Sequence, residues 1–349
     1  MIATVLKGVR DLGLVEKPIP IPKEGEVLVR VRAVGVCGSD VHGFEGLIPQ
    51  RRKLGLIMGH EVAGEVEDGG DSSVWRKGDR VAVNPQVYCG DCYSCSRGWF
   101  HLCDRRLNLG SSMNTWFDGA LCEYLAIPGR QLHRLPQKVS YGEGAVAEPA
   151  SCAVHMIERG RLESGGTVVI IGTGTIGLIA VQVAAQMDPA KLIVVDKLDQ
   201  RLTIAKKLGA EVLINPAKED PVERIMAETE GRGADVTFEA AGLAITYDWA
   251  IRSLRKRGTL LALGFIDEQV PFDMRHLIFR EITVVGSTGF TSEIDEALKL
   301  IGGGRVDVKP LITHEFSLED AQVAFETASD PNAGAIKVMI YPDHSGLDA

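Results

Sequence analysis

Residues 168–196 read VVIIGTGTIGLIAVQVAAQMDPAKLIVVD. The apolar run Val168 to Ile171 has the length and composition of a buried parallel strand. It runs into Gly172-x-Gly174-x-x-Gly177, an apolar helical pattern follows, and a second apolar run, Leu192 to Val195, ends at Asp196. Each glycine has a task in such a unit. Gly172 permits the tight turn, Gly174 lets the backbone approach a pyrophosphate, and Gly177 lets the helix pack near the sheet. The helix start at Thr175 and Ile176 offers free N–H groups and a partial positive charge. Asp196 falls where a carboxylate accepts hydrogen bonds from an adenosine ribose 2′-OH and repels a 2′-phosphate, which favours NAD over NADP. An ordinary strand–helix turn is the bland alternative. Strand, helix, second strand and acid in the right order speak against it. Arg201 is a candidate for the adenosine side of the cofactor, or a solvated helix residue.

The alternation continues outward from this unit. A helix over 199–208 is stopped by Gly209, a strand over 212–214 follows, then a helix over 222–228. Strands are expected over 235–238, 259–263 and 282–285. Six apolar strands describe an open, doubly wound α/β sheet, whose ligands bind beyond the carboxyl ends of the strands. Gly242, Gly264 and Gly286 either line that cleft or simply punctuate turns. Toward the C-terminus, a helix over 293–301 runs into three glycines. Ser317-x-x-Asp320 reads as a capping box for a helix over 318–327. A strand over 336–341 precedes a tail expected to fray.

The N-terminal part has another texture. Val27, Val29 and Val31 alternate with Leu28, Arg30 and Arg32, a period of two. Cys37-Gly38-Ser39-Asp40-Val41-His42 follows, and later Gly59-His60-Glu61 opens another strand pattern. A lone cysteine after a strand is usually a buried thiol. Cys37 and His60 together with Glu61 or Glu148 instead supply sulfur, nitrogen and oxygen donors that suit zinc. Pro149 fits the first turn of a helix, with Glu148 at its mouth. Cys152 and His155 are expected to pack as buried residues between domains, and Cys122 as core.

The most specific local signal is Cys89-x2-Cys92-x2-Cys95-x7-Cys103. Four thiolates at short spacings fit a closed tetrahedral structural zinc site. Seven cysteines, an odd number, with four crowded into this loop, suit metal ligation in a reducing compartment better than disulfides. A net charge of −9 argues against a nucleic-acid zinc ribbon or an anionic-membrane binder. The start, MIATVLKGVRDLG, lacks an apolar signal segment, so the expectation is a cytoplasmic protein.

These motifs together resemble the zinc-dependent medium-chain alcohol and polyol dehydrogenases. The matching pieces are CGSDVH at 37–42, GHEVAGEV at 59–66, the four-cysteine lobe, AEPASCAVH at 147–155, GTGTIG at 172–177 and Asp196. The carboxylate at Glu148 is similar to the sorbitol, butanediol, threonine and L-idonate branch. The resemblance implies a GroES-like β-barrel catalytic domain over 1–149 and 288–349, with a Rossmann NAD-binding domain over 150–287. It implies one catalytic and one structural Zn2+ per chain, a small-molecule alcohol or polyol substrate, and a homotetramer or homodimer. Cys37, His60 and a carboxylate would hold the catalytic zinc, which acts as a Lewis acid on the alcohol. Asp40 would accept from the His60 ring. Ser39 would take the proton and His42 hand it to solvent. A basic residue near the C-terminus, Lys337, would approach the pyrophosphate. Arg51, Arg52 and Lys53 either face a substrate anion or are solvated. After His42 comes a glycine where some relatives carry an aromatic, so the pocket is wider or Phe44 fills it. The competing expectations are a threonine-type or diol dehydrogenase with the same metal sites, and a catalytically inactive NAD-binding zinc protein.

Overall fold

The computed structural model describes residues 1–266, 269–271 and 273–343. The tail beyond 343, expected to fray, lies outside the described residues. The chain forms two compact units. The first takes Met1–Pro149, Ile294–Gly303 and the chain from Val308 onward; the second takes Ala150–Glu293 and Gly304–Asp307.

The first unit is built on a seven-stranded sheet. Its order is Ile312–Ser317, Lys337–Tyr341, Glu26–Val36, Glu61–Asp68, Arg80–Val83 and Leu132–Arg134, with Tyr124–Pro128 also paired to Glu26–Val36. Glu26–Val36 is the strand with the valine alternation, and Val27, Val29 and Val31 are buried as that period requires. Leu28 is buried as well, as in a strand covered on both faces. Register shifts at Leu28/Val29 and Val31/Ala33 bend this long strand. Phe44 lies wholly in the core, its ring 5.4 Å from that of Phe325. It therefore does not fill a substrate pocket. The helix expected from Leu318 begins at Ala321 and runs to Ser329. Ser317 Oγ does accept from the Asp320 N–H, but it donates to the Asp320 carboxylate as well, so the expected box is not closed around a helix starting at Leu318.

The second unit is a six-stranded parallel sheet. Its order is Val212–Ile214, Lys191–Val195, Thr167–Ile171, Ala234–Glu239, Leu254–Ala262 and Thr283–Gly286. In sequence terms this is 3-2-1-4-5-6, the doubly wound order whose switch point lies beside the first strand. Val169, Ile171, Ile193, Val195, Leu254 and Leu260 belong to its core. The last strand is an edge, and Val284 on it is 42% exposed. Two helices in this unit, Ala244–Arg252 and Met274–Arg280, had no clear sequence signal. Among the described residues no helix is long and apolar enough to cross a membrane.

Candidate functional site

Strand pairing brings the first donor set together. Gly35 pairs with Glu61, so the end of Glu26–Val36 lies beside the start of Glu61–Asp68. Cys37 is the next residue but one beyond Gly35, and His60 immediately precedes Glu61. A sulfur of Cys37, a ring nitrogen of His60 and a carboxylate oxygen of Glu61 lie within 4.8 Å of one another. Sulfur, nitrogen and oxygen at that spacing fit the donors zinc takes. A Cβ on Gly35 would collide with Glu61 Oε2. The glycine thus lets the carboxylate cross over its own strand partner.

That carboxylate does not stand alone. Lys337 Nζ donates to Glu61 Oε1 at 2.8 Å, to Oε2 at 2.7 Å and to the carbonyl of Val36 at 3.0 Å. Burial pulls the lysine down, but Glu61 and the Cys37 thiolate outweigh it and leave it raised. All three N–H donors are engaged inside the first unit, so Lys337 does not reach toward a pyrophosphate. Glu148 sits at the start of the helix Ala147–Gly160 and falls outside the three-residue donor set. Burial pushes its carboxyl up to about 7, with His60 pulling it down and Glu61 pushing it up.

Around His60 a charged chain runs inward. Asp40 Oδ2 lies 3.1 Å from His60 Nδ1. Burial pulls the imidazole down, yet Asp40 and the Cys37 thiolate hold it well above its ordinary value. Burial would raise Asp40, but His60 and Arg52 keep it well below the usual carboxylate range. Arg52 was expected in a solvated or substrate-facing basic loop. It is buried, with Nη2 on Asp40 Oδ1 at 2.9 Å. Ser39 and His42 lie one turn apart on the helix Gly38–Phe44, both part-exposed, while Asp40 between them points inward and is fully buried.

The second donor set is Cys89, Cys92, Cys95 and Cys103, all free thiols within 4.8 Å of one another. Sulfur separations of 3.4 Å (Cys89–Cys103) and 3.9 Å (Cys89–Cys95 and Cys92–Cys103) are far too long for disulfides. They bracket the roughly 3.8 Å edge of a tetrahedron with 2.3 Å zinc–sulfur bonds. The lobe is short on apolar core. It rests on the two-stranded ladder Gln86–Val87 with Leu107–Asn108 and on the stacked rings of Tyr88 and Phe100. Backbone N–H groups of Cys95 and Asp104 favour the Cys92 thiolate, while burial pushes Cys95 and Cys103 up. A cation held by the four sulfurs would let all four ionise together.

In the second unit the glycine turn is shaped by close contacts at two of its three glycines. Gly172 has φ +92°, and a Cβ there would stand 2.8 Å from the Ala241 N. A Cβ on Gly177 would collide with the Gly172 carbonyl, so the helix Thr175–Ala185 packs as closely as glycine allows. A Cβ on Gly174 would meet nothing within 4 Å, and as the N-cap this glycine brings no side chain to the helix start. The turn therefore fits a pyrophosphate cradle. Asp196 Oδ2 accepts from Thr173 N and Oγ1, both at 2.8 Å, and Oδ1 accepts from Leu198 N at 2.9 Å. The acid braces the turn and keeps one lone pair, on Oδ1, for a ribose hydroxyl. On the other flank of the turn, Glu239 Oε1 accepts from Ala241 N, Gly242 N and Thr246 Oγ1. Gly264 is needed because a Cβ there would collide with Glu239 Oε2; Gly286 has no such neighbour. Arg201 is part-exposed on the helix Asp199–Lys207. His155 and Cys152 are buried, with His155 Nδ1 2.6 Å from Glu293 Oε1.

Residues 23–137 match the alcohol dehydrogenase GroES-like domain family, and residues 175–302 match the zinc-binding dehydrogenase family. The chain is 35% identical to the sorbitol dehydrogenase of Bacillus subtilis over 347 residues, 98% of each chain. An Escherichia coli oxidoreductase/dehydrogenase of unknown specificity superposes with TM-score 0.92 at 34% identity, over 97% of this chain and 98% of that one. The L-idonate 5-dehydrogenase of Escherichia coli superposes with TM-score 0.90 at 30% identity, over 97% of each. Fold and sites thus define a zinc-binding oxidoreductase with a GroES-like domain and a Rossmann-type domain for a nicotinamide dinucleotide. The chain belongs to the zinc-dependent medium-chain alcohol and polyol dehydrogenase family.

Proposed function

We propose that this protein oxidises a secondary alcohol of a polyol or sugar acid to the ketone, with NAD+ as the hydride acceptor. The observation that carries this reading is the Cys37, His60 and Glu61 donor set within 4.8 Å. Zinc held there supplies Lewis acidity that eases loss of the alcohol proton. Cys37 and His60 hold it, and Asp40 orients the His60 ring. Glu61 and Glu148 are the candidate carboxylates. Ser39 takes the alcohol proton, and His42 passes a proton to solvent, since an imidazole both accepts and donates one. Gly172, Gly174, Thr175, Ile176 and Gly177 cradle the pyrophosphate. Asp196 selects NAD through the ribose, and Arg201 flanks the adenosine. Cys89, Cys92, Cys95 and Cys103 hold the second, structural zinc.

A sheet that, among the described residues, ends in an edge strand with Val284 exposed supports a homo-oligomer, since edge backbone pairs readily with a second copy. The free thiols support a reducing, cytoplasmic setting.

The test follows NAD+ reduction by absorbance on polyols, sugar acids, diols and threonine, with NADP+ in parallel, before and after zinc chelation. Turnover of a polyol or sugar acid with NAD+, lost on chelation, supports the reading. Preference for threonine or a diol moves the assignment to another substrate class. Silence with zinc and NAD both bound points to an inactive binding protein.

A further inference from the structure

Arg52 lies in a run of three basic residues, yet its side chain is only 6% exposed. Nε and Nη2 donate to Asp40 Oδ1 at 3.2 and 2.9 Å. Nη2 also reaches Ser39 Oγ at 3.4 Å, and Nη1 donates to the Arg51 carbonyl at 3.3 Å. The other oxygen of Asp40 is the one 3.1 Å from His60 Nδ1. Room for the arginine stem comes from Gly43, where a Cβ would collide with Arg52 Cγ. The helix Gly38–Phe44 is cut away on the face this side chain occupies.

Stability does not explain the arrangement. A buried ion pair roughly breaks even against apolar packing of the same volume. What the guanidinium does is hold Asp40 and stand against Ser39, two consecutive side chains that the proposed function uses differently. Asp40 carries two oxygens, and Arg52 occupies one so that the other faces His60. A hydroxyl has two lone pairs and one proton. With Arg52 on one lone pair, Ser39 keeps one lone pair to receive a proton and its own proton to pass on, which gives the transfer a direction. The planar fork is required, because a lysine ammonium is a single point and does not reproduce it.

We propose that Arg52 is a positioning residue of the zinc site, acting on His60 through Asp40 and on proton transfer through Ser39. The inference rests on the proposed function for the identity of that site.

The test uses the full-length zinc-loaded protein and two readouts, zinc retention against a graded chelator and steady-state kinetics. Arg52→Gln is expected to weaken retention of the Cys37 zinc roughly 10–100-fold, while the four-cysteine zinc is unchanged. That unchanged zinc also reports that the variant has folded. Arg52→Lys, which keeps the charge near Asp40 but releases Ser39, is expected to hold zinc within about threefold of wild type and to lose about tenfold or more in kcat at unchanged KM. The double variant Arg52→Gln/Asp40→Asn is expected to retain zinc no worse than the weaker single variant, because both act through one chain. Wild-type zinc retention and kcat in Arg52→Gln, or losses that simply add in the double variant, overturn the proposal. A wild type that holds both zincs but turns over no alcohol counts against the proposed function, while zinc retention still decides the role of Arg52. A wild type without the Cys37 zinc overturns both.

Discussion

Both carboxylate oxygens of Glu61 rest on Lys337 Nζ, at 2.7 and 2.8 Å, although the two residues stand 276 positions apart. Glu61 is 1% exposed and Lys337 3%. The contact passes over Gly35 on the intervening strand, since Lys337–Tyr341 and Glu61–Asp68 flank Glu26–Val36 on opposite sides. The C-terminal strand therefore supplies the counter-charge for a carboxylate at the metal-ligand set. Glu61 therefore enters that donor set alongside Cys37 and His60 already paired with a cation, which tempers its charge.

Removing one partner leaves a buried charge behind. Lys337→Met is expected to destabilise the first unit by about 3–5 kcal/mol, whereas Glu61→Gln with Lys337→Met recovers most of that loss. Chemical denaturation followed by tryptophan fluorescence checks both. Equal midpoints for Lys337→Met and wild type would show that the pair carries no such energy.

The four-cysteine lobe has little core of its own, so its order depends on the ion. Cys103→Ser is expected to lower metal content from about two zincs per chain to about one and to open residues 89–106 to limited proteolysis, with dinucleotide affinity unchanged. Metal analysis and peptide mapping read the two effects separately. A variant that keeps both zincs contradicts the structural-zinc assignment.

The edge strand Thr283–Gly286 offers another handle. Val284→Lys places a charge on the exposed edge and is expected to lower the solution mass toward that of one chain, with the Rossmann-type unit still folded. Light scattering across a concentration series decides it. A wild type already at the mass of one chain contradicts the proposed homo-oligomer.

What was legible in the sequence was what sequence places close together. The glycine turn and Asp196 lie within one strand–helix–strand unit, and the four cysteines within one loop, so spacing alone carries their geometry. The pairing of Cys37 with His60 was readable from motif order. Arg52 and Lys337 were not, because their partners are set by packing. Arg52 sits in a charged triplet that looks solvated, and only the missing Cβ of Gly43 opens the interior to it. Lys337 reaches Glu61 only because two strands far apart in the chain flank the same third strand. Phe44 had no partner in view until the helix Ala321–Ser329 brought Phe325 against it. The helix Ala244–Arg252, rich in aromatic and β-branched residues, has weak intrinsic preference and is held by its packing on the sheet.

Cofactor choice turns on Asp196. Asp196→Ala removes the acceptor for Thr173 and for a ribose hydroxyl together. The KM for NAD+ is expected to rise about tenfold or more, as a charge-assisted hydrogen bond of roughly 1.5–3 kcal/mol is lost. NADP+ is expected to gain in relative kcat/KM as the repelling charge goes. Initial rates with both cofactors measure the ratio. An unchanged ratio would remove Asp196 as the selector.

The second unit carries an acid-sensitive latch at His155 and Glu293. Burial raises the Glu293 carboxyl, but hydrogen bonds from His155 and from backbone N–H groups, Thr291 among them, outweigh it and bring it to about 2 from an ordinary 4.5. A carboxylate depressed in the folded state binds protons more readily when unfolded. Its contribution is therefore complete above pH 4.5 and is lost as pH falls from there toward about 2. Glu293→Gln is expected to be less stable than wild type at neutral pH and to lose less stability across that acid window, so the two curves converge as pH falls. Thermal melts from pH 7 down to the lowest pH at which unfolding stays reversible measure the convergence. Parallel curves would mean that Glu293 titrates alike in both states and that the latch contributes nothing that depends on pH.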